Sequence, residues 1–437
     1  MPYDRSVSAD PHELAAESVW HIDVPEIRFG SHAVDELAFQ LRDLGVDADA
    51  RGLVVTDDDL VAAGHADRVG SHLADAGFAV DVYDDSEREP SVEAIEACAA
   101  FVRDETDDGY DFYVGLGGGS CMDTAKATRA VVANGGSPLD YVAEPTGSGE
   151  PLTASGPPLV LVPTTAGTGS EISPVAILSV PAEEIKEGIS SYHLRADAAV
   201  LDPTLTTTLS PELTARTAMD ALGHAIEGYT THAYDSLLRA TDPGTRPVYA
   251  GRTPLTELFS RRAIGLLSGH VRRAVHNGDD LEARENMLLG ALFGAISGLT
   301  AGASLCHAMA YPVSNRYHTR HGETIAVLTP ASTIGYNAAS DPGRFAEVAE
   351  LFGVETTGMA DHEAAEALRD EYVQLQRDLN VLPSGLAELA GVTADDVDWL
   401  AARTVDSQER LLRCNPRPVT EDDVREIYLD ALYNWEA

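Results

Sequence analysis

The sequence predicts an N-terminal α/β domain with a Rossmann-like parallel sheet, followed by an all-helical domain. Two observations predict this fold. In the first half, short apolar strands alternate with helical segments of about ten to fifteen residues, which is typical of parallel strands joined by helical crossovers. After 201–214 the patterns are long and helical, with little strand signal. We therefore expect an α/β domain over 1–208, with 1–15 as a loose tail, and a helical domain over 209–437.

The elements of the first half follow in order. The runs at 51–60 and 79–85 predict two short strands, and the first of them ends in three aspartates. A helical periodicity covers 91–105. Two further strands, within 111–120 and 157–171, each lead into a glycine-rich loop. Since ligands of open parallel sheets bind beyond the carboxyl ends of the strands, these two loops are candidate binding segments.

The second half begins with Pro211, where Ser210 is placed to cap a helix. The segment 286–315 carries no formal charge and has a glycine at every fourth position from 290 to 302. We expect a buried helix there rather than a membrane span, because glycines at that spacing allow another helix to approach closely. Further helical patterns cover 255–275, 279–299, 343–353 and 363–381.

The composition is strongly acidic. The 437 residues include 71 Asp plus Glu against 30 Lys plus Arg, for a formal net charge of −41. This charge argues against nucleic acid or an anionic membrane as a partner. The only two lysines are Lys126 and Lys186, which favours a protein adapted to a cytosol with molar salt over an ordinary acidic enzyme. Four widely spaced cysteines and a polar N-terminus predict a reduced, cytoplasmic setting.

Two loops are candidates for phosphate and cofactor binding. Gly117-Gly118-Gly119-Ser120 follows a strand and opens a helix, where unpaired backbone N–H groups favour anions. It does not match the GxGxxG pattern, and a structural turn would also explain it. The segment 164–170 combines hydroxyls with glycines, although a plain strand-to-helix turn is the alternative. Asp57, at the end of the first strand, favours NAD over NADP because it would repel a 2′-phosphate.

A second set of residues is typical of a metal site. Asp220 and His224 are four residues apart and share one face of a helix. With His307 and His321 they supply one carboxylate and three imidazoles, enough for a divalent metal with an open position. His318 is a competing ligand, and each histidine alone could be a hydrogen-bonded core or capping residue.

These motifs together resemble the iron-containing (group III) alcohol dehydrogenases. The resemblance runs from about Ile27 to near the C-terminus and rests on several segments: GGGSCMDTAK (117–126), VPTTAGTGSE (162–171), LDPTLT (201–206), MDALGHAIEGY (219–229), LCHAMAYP (305–312) and His321-Gly322. It implies a dehydroquinate synthase-like architecture with a cleft between the two domains. It also implies an NAD(P)-linked enzyme that transfers hydride between an alcohol or hydroxyacid and an aldehyde or ketone, and a homodimer is expected.

The resemblance assigns residues by position. The implied metal ligands are Asp220, His224, His307 and His321, with Fe(II) favoured and Zn(II) or Mn(II) as alternatives. The implied cofactor contacts are Asp57, Gly118, Gly119, Asp123, Thr164, Thr165, Thr168, Ile177 and Lys186. Many members of the family have a second histidine where this chain has Tyr311, so this phenol becomes the candidate for proton transfer or for binding the substrate oxygen.

Tyr311 and the insertion at 233–254 resemble the hydroxyacid–oxoacid transhydrogenase branch, in which NAD stays bound. That branch would need a partner for the substrate carboxylate, and four arginines are candidates by loop location: Arg239, Arg246, Arg252 and Arg316. A free-NAD alcohol dehydrogenase, a dehydroquinate synthase-like lyase and a non-catalytic nucleotide-binding protein are the other readings. The scarcity of lysine argues against a phospho-substrate.

Overall fold

The computed structural model describes residues 16–106, 109–180, 185–240 and 242–435. The predicted loose tail at 1–15 lies outside these residues. The division into an α/β part and a helical part matches the predicted fold class. The boundary at 208/209 stays a prediction.

Eight strands occur in the described residues: β1 Glu26–Phe29, β2 Arg51–Val55, β3 Ala79–Tyr83, β4 Phe112–Gly117, β5 Leu159–Pro163, β6 Val175–Val180, β7 Ile185–Ser190 and β8 Ala198–Leu201. Six of them form one parallel sheet in the order β1-β8-β5-β4-β2-β3. The central strands β4 and β5 are buried along their whole length, as expected for a sheet covered on both faces. Strands β6 and β7 form a separate antiparallel hairpin that the sequence reasoning missed.

Five helices belong to the α/β part: α1 Leu37–Asp43, α2 Asp58–Ala62, α3 His65–Asp75, α4 Val92–Glu105 and α5 Gly119–Asn134. The helix predicted at 91–105 is confirmed as α4, and the Ser91 hydroxyl accepts the capping hydrogen bond from the backbone of Ala94 at 3.0 Å. Helix α5 begins at the glycine loop, so its positive end faces the carboxyl ends of β4 and β5.

The described residues after 209 form helices and no named strand: α6 Pro211–Thr230, α7 Pro254–His276, α8 Leu281–Ala301, α9 Leu305–Tyr317, α10 His321–Leu328, α11 Pro342–Leu351, α12 Asp361–Leu379, α13 Leu386–Ala390, α14 Val397–Ser407, α15 Glu409–Leu412 and α16 Glu421–Asp430. The predicted start at Pro211 is confirmed, since Ser210 caps α6 through its hydroxyl. Helix α6 is the central element and packs on α7, α8 and α10.

The expectation of one helix over 286–315 is wrong. The segment contains two helices, α8 and α9, which meet at 98°. The break falls at Gly302, whose φ of 121° is unfavourable for a residue with a side chain. By length and composition this bent pair is the one candidate for a membrane span in the described residues, and no single helix there qualifies. Both helices are largely buried in the core.

The glycines of α8 allow α6 to approach closely, as their spacing in the sequence predicted. An added Cβ at Gly228 of α6 would lie 2.9 Å from the backbone nitrogen of Gly298, and one at Gly298 would lie 2.6 Å from the carbonyl oxygen of His224. Such distances are too short for any side chain, so the two helix backbones touch. This contact therefore fixes the position of His224 relative to α8.

Candidate active site

Three helices bring the four predicted metal ligands together. Asp220 and His224 lie one turn apart on α6, His307 is near the start of α9, and His321 begins α10. Ligand atoms of Asp220, His224 and His307 all lie within 4.8 Å of one another. The Nε2 atoms of His307 and His321 are each 3.6 Å from Asp220 Oδ1. His321 therefore joins the cluster from the Asp220 side.

The cluster leaves buried polar atoms without partners. Among the described residues, Asp220 Oδ1, His224 Nδ1 and His307 Nε2 are buried and accept or donate no hydrogen bond. Leaving a buried polar atom unpaired costs about 1–3 kcal/mol, and three such atoms at one point are rare in a folded chain. One carboxylate oxygen and three imidazole nitrogens are ligands that Fe(II) and Zn(II) accept. The residues present therefore fit a divalent metal.

Glu227 supports the cluster from behind, and the sequence reasoning missed it. Its fully buried carboxylate accepts a hydrogen bond from His307 Nδ1 at 2.5 Å. It also accepts bonds from the backbone N–H groups of Ser304 and Cys306, at 2.9 and 2.8 Å, and from the hydroxyls of Ser304 and Thr333. Because His307 donates its Nδ1 proton to Glu227 in this hydrogen bond, Nε2 is the ring nitrogen that faces the cluster. The spacing in the sequence could have identified it, because Glu227 follows Asp220 by seven residues and so lies on the same face of the helix.

Burial and mutual charge shift the pKa values of the cluster. Burial lowers the pKa of His224 to about 4 and that of His321 to about 3, so both are neutral at pH 7. Burial also opposes the charge on Asp220, but the neighbouring imidazoles, His224 first, outweigh it and lower the pKa of this carboxyl. Burial lowers the pKa of His307 as well, yet the carboxylates of Glu227 and Asp220 together raise it to about 9.

His318, the competing ligand, lies outside the cluster. It is exposed at the end of α9 with a φ of 54°. Tyr311, the candidate proton donor, lies beside the cluster: its ring stacks on that of His321 with a centroid separation of 5.5 Å and an interplanar angle of 24°. Burial raises the pKa of the Tyr311 phenol, so it stays protonated and can donate a hydrogen bond at neutral pH.

The two glycine-rich loops meet at the ends of β4 and β5. Thr164 donates its backbone N–H to the carbonyl of Gly117 at 3.0 Å. An added Cβ at Gly119 would lie 2.9 Å from the Thr168 hydroxyl, and one at Gly118 would lie 3.7 Å from Thr165. The backbone at Gly119 must therefore remain free of a side chain for the loops to pack. Gly118, Gly119, Thr164, Thr165 and Thr168 form one crevice at the start of α5, a position suited to phosphate.

Asp123 and Lys126 point inward from α5. The Asp123 carboxylate accepts bonds from the Ser170 hydroxyl at 2.5 Å and the Ile177 backbone at 3.0 Å, and pairs with Lys126 at 2.8 Å. The fully buried Lys126 also donates to the carbonyl oxygens of Ser170, Ser173 and Val175. These contacts hold the 164–170 loop and β6 in place. Lys126 is therefore a structural residue, and Asp123 has its oxygens occupied within the chain.

Asp57 and Lys186 both have partners within the chain. Asp57 caps α2 by accepting from the backbone of Leu60 at 2.9 Å, and it accepts from the Cys121 thiol at 3.3 Å. Lys186 on β7 pairs with Glu89 at 2.7 Å. Strand β7 contacts α9, and the charge of Lys186 acts on His321. Strand β7 therefore lies against the helix that carries His307 and brings Lys186 near the metal cluster.

The arginines proposed from loop location are engaged elsewhere. Arg246 pairs with Glu17 at 3.0 Å, Arg252 with Glu257 at 3.2 Å and Arg316 with Asp396 at 3.2 Å. Arg239 is exposed. A different arginine, Arg410 on α15, was missed by the sequence reasoning, and it acts on the Tyr311 phenol.

Comparison with known proteins shows the family of the chain. Residues 25–203 match the family described as iron-containing alcohol dehydrogenase, and 248–432 match the C-terminal part of the same family. Long-chain-alcohol dehydrogenase 1 of Geobacillus thermodenitrificans is 34% identical over 404 residues, 92% of this chain and 94% of the relative. The mitochondrial hydroxyacid-oxoacid transhydrogenase of Rattus norvegicus is 31% identical over 441 residues, 98% of this chain and 92% of the relative.

Solved structures agree in fold. A crystal structure of 1,3-propanediol oxidoreductase superposes with a TM-score of 0.84 at 30% identity, covering 95% of this chain and 100% of the other. Sulfoacetaldehyde reductase from Bifidobacterium kashiwanohense, solved in complex with NAD+, superposes with a TM-score of 0.79 at 26% identity, covering 95% and 99%. With both halves matched in sequence and the whole chain matched in structure, the chain belongs to the iron-containing alcohol dehydrogenase family.

Proposed function

We propose that this chain is an NAD-dependent alcohol dehydrogenase that uses one divalent metal, with Fe(II) favoured over Zn(II) and Mn(II). The observation that carries the proposal is the convergence of Asp220, His224, His307 and His321, with unpartnered buried atoms on three of them. Strand β7, which carries Lys186, packs against the helix of His307 and so joins the predicted cofactor residues to the cluster. This arrangement suits oxidation of a small alcohol or hydroxyacid, and reduction of the matching aldehyde or ketone.

The chain's own residues prepare the reaction. The four ligands would hold the metal, which supplies Lewis-acid polarisation of the substrate oxygen and lowers the pKa of the alcohol. Glu227 keeps the Nδ1 proton of His307, so that Nε2 faces the cluster. The loops at 117–119 and 164–168 would hold the pyrophosphate of NAD, whose nicotinamide accepts the hydride. Tyr311 keeps its phenolic proton beside the cluster and is placed to hold or pass the hydroxyl proton of the substrate.

NAD is favoured over NADP by the charge around Asp57. This carboxylate follows β2, the exposed Asp58 and Asp59 come next in the chain, and the exposed Asp84 follows the neighbouring strand β3. A 2′-phosphate would meet several negative charges there. The side-chain oxygens of Asp123, by contrast, are bound to the Ser170 hydroxyl and the Ile177 backbone. Asp123 and Ile177 would therefore position the 164–170 loop and would not contact the cofactor through a free side-chain oxygen.

A hydroxyacid–oxoacid transhydrogenase is the second candidate. Two observations favour it: Tyr311 lies beside the cluster, and the transhydrogenase of Rattus norvegicus aligns over 98% of this chain. In that case NAD would stay bound and a hydroxyacid would reduce an oxoacid through it. The dehydroquinate synthase-like lyase has no such observation in its favour.

We also propose that the enzyme works in the cytoplasm at high salt and as a homodimer. Its net charge of −41 and its two lysines support the first point. One of the two lysines, Lys126, is buried, and its ammonium group donates hydrogen bonds to three carbonyl oxygens. The bulkier guanidinium of an arginine would not fit in this position.

The deciding experiment is an absorbance screen for NADH with alcohols and hydroxyacids in molar KCl, with Fe(II), Zn(II) or Mn(II) added in turn. NADH formation with free NAD would support the dehydrogenase. Steady conversion of a hydroxyacid and an oxoacid without added NAD would support the transhydrogenase. No turnover under any of these conditions would contradict both.

A further inference from the structure

We propose that Glu89 is a positioning residue that holds and neutralises Lys186, and that this ion pair sets the relative affinity of the chain for NAD+ and NADH. The inference rests on the proposed function, because it takes the nicotinamide to lie beside the metal cluster. It deepens that function by adding Glu89, which lies outside every motif of the family resemblance.

The ion pair is close, and its cation is sheltered. Lys186 Nζ lies 2.7 Å from Glu89 Oε1, in a hydrogen bond that the ammonium group donates. The side chain of Lys186 is only 10% exposed, whereas that of Glu89 is 43% exposed. Solvent and salt therefore screen the ammonium group weakly, and the carboxylate of Glu89 is the partner that balances its charge.

Backbone contacts hold both members of the pair. Pro90, next to Glu89, accepts a hydrogen bond from the backbone N–H of Ser179 at 2.8 Å. Ser179 of β6 is also the cross-strand neighbour of Lys186 in the β6–β7 hairpin. The residue before Glu89 accepts the Ser120 hydroxyl at its carbonyl oxygen, so the same segment also contacts the glycine loop. The pair therefore joins fixed elements, unlike an ion pair between two mobile surface side chains.

Lys186 also lies near the reacting end of the cofactor. Strand β7 packs on α9, which carries His307, and the charge of Lys186 acts on the ring of His321. In the proposed function the substrate oxygen is bound at this cluster. Hydride transfer requires the nicotinamide carbon to approach the substrate carbon to about 3–3.5 Å. The nicotinamide end of NAD, rather than the adenosine end, is therefore the part that experiences the charge of Lys186.

Hydride transfer changes the charge of this part of the cofactor. A hydride leaves the alcohol carbon with both electrons of the C–H bond, and the hydroxyl proton is released as the carbonyl forms. The cationic ring of NAD+ thereby becomes the neutral ring of NADH. A nearby ammonium group therefore disfavours NAD+ relative to NADH unless a carboxylate balances it. Two further charges in this region, Glu187 and Arg410, are of opposite sign and both act on the Tyr311 phenol, so they offset each other.

The test measures the Kd of NAD+ and of NADH for the metal-loaded protein without substrate, NADH by its fluorescence and NAD+ by displacement of NADH. In Glu89→Gln the ratio of the Kd of NAD+ to that of NADH should rise roughly 10-fold, as expected for a unit charge at about 10 Å and an effective dielectric constant of about 20. This rise corresponds to a shift of the bound couple by about 30 mV toward a more positive potential. Lys186→Gln should lower the ratio, because it leaves the carboxylate of Glu89 unbalanced.

Two further variants isolate the effect of charge. The double variant Glu89→Gln/Lys186→Gln removes both charges, so its ratio should return to within about threefold of the wild-type value. Glu93→Gln removes an exposed carboxylate four residues further along the chain and should leave the ratio unchanged.

An unchanged ratio in folded Glu89→Gln would overturn the inference. So would a double variant that keeps the raised ratio, since Glu89 would then act through the backbone and not through the charge of Lys186. If Glu89→Gln fails to fold, Lys186→Gln decides alone, and a ratio that stays the same or rises there would overturn the inference. In each of these cases the wild type still binds NAD+ and forms NADH, so the proposed function stands. A wild-type protein that binds neither form of the cofactor would contradict the proposed function itself.

Discussion

Glu227 shows how one buried side chain can prepare a metal ligand. It takes five hydrogen bonds, one of them from His307 Nδ1, and it has no contact with solvent. The carboxylate therefore fixes both the tautomer and the ring orientation of His307. Residues in this position behind a metal ligand typically contribute 10- to 100-fold in metal affinity.

We expect Glu227→Gln to bind Fe(II) or Zn(II) about 10- to 100-fold more weakly than the wild type, because an amide cannot accept from all of these donors. Metal affinity is measured by competition with a chromophoric chelator, independently of activity. Glu282→Gln, an exposed change in α8, is the control and should leave affinity unaltered. Wild-type affinity in a folded Glu227→Gln protein would show that Glu227 does not orient His307.

Glu171 illustrates the opposite case, a buried carboxyl group without a full set of partners. Burial raises its pKa to about 7 from an ordinary value of 4.5, and the charge of Lys126 offsets only part of this shift. Between pH 4.5 and 7 the unfolded chain releases this proton while the folded chain keeps it. The contribution of Glu171 to stability is therefore complete below pH 4.5 and is lost as the pH rises through about 7.

Glu171→Gln removes this pH dependence. Between pH 4.5 and 8 the free energy of unfolding of the wild type should fall by about 3 kcal/mol relative to the variant. Urea denaturation of both proteins at several pH values, in constant salt, measures the difference. Parallel pH profiles for the two proteins would mean that Glu171 is not held neutral in the fold.

At the scale of single residues, the sequence predicted the four metal ligands but not the residues around them. Asp220 and His224 were found by helical spacing, and His307 and His321 by resemblance. The choice between His318 and His321 needed the turn between α9 and α10, which depends on packing rather than on local pattern. Arg410 lies 89 residues after His321, so no spacing argument could place it near Tyr311.

Among the elements, the crossing of α6 and α8 has the most direct consequence for the site. Gly228 and Gly298 let the two helix backbones touch, and Gly298 lies against His224 itself. A side chain at this point must push α6 and α8 apart. Inserting atoms into a packed contact of this kind costs about 1–3 kcal/mol and moves the backbone.

Gly298→Ala should therefore lower the free energy of unfolding by about 1–3 kcal/mol and weaken metal binding, because it displaces His224. Gly269→Ala in α7 is the matched control, since an added Cβ there meets nothing within 4 Å. This control should gain about 0.5–1 kcal/mol through the higher helix propensity of alanine. Thermal melts and metal titrations of both variants give the comparison. If the two variants behaved alike, the helix contact would not control the position of His224.

The prediction of elements succeeded where periodicity was strong. The strands β2, β3, β4 and β5 and the helices α4, α6, α7, α8, α11 and α12 all overlap the predicted segments. The β6–β7 hairpin was missed because it follows a segment read as a loop and pairs only with itself. The bend between α8 and α9 was missed because the apolar composition continues through Gly302, while only the backbone conformation changes.

For the whole molecule the dominant property is charge. A net charge of −41 repels itself at low ionic strength, and salt screens this repulsion once the Debye length falls to about 3 Å at 1 M. This charge carries no information about the reaction, since the metal ligands could operate in a neutral protein.

We expect the midpoint of thermal unfolding to rise by about 5–10 °C between 0.1 and 2 M KCl. Differential scanning calorimetry measures the midpoint, and choline chloride at the same ionic strength is the control that separates screening from specific potassium binding. A midpoint that stays constant or falls with KCl would contradict the proposed adaptation to salt.

The central claim is that Asp220, His224, His307 and His321 hold one metal on which hydride transfer depends. The most direct measurement is the metal content per chain, with NADH formation, of the wild type, His307→Ala and Asp220→Ala after chelation and reconstitution with Fe(II). We predict about one equivalent and activity in the wild type, and neither in the two variants, which should remain folded by circular dichroism. Full turnover in either variant, or in the chelated wild type, would contradict the account.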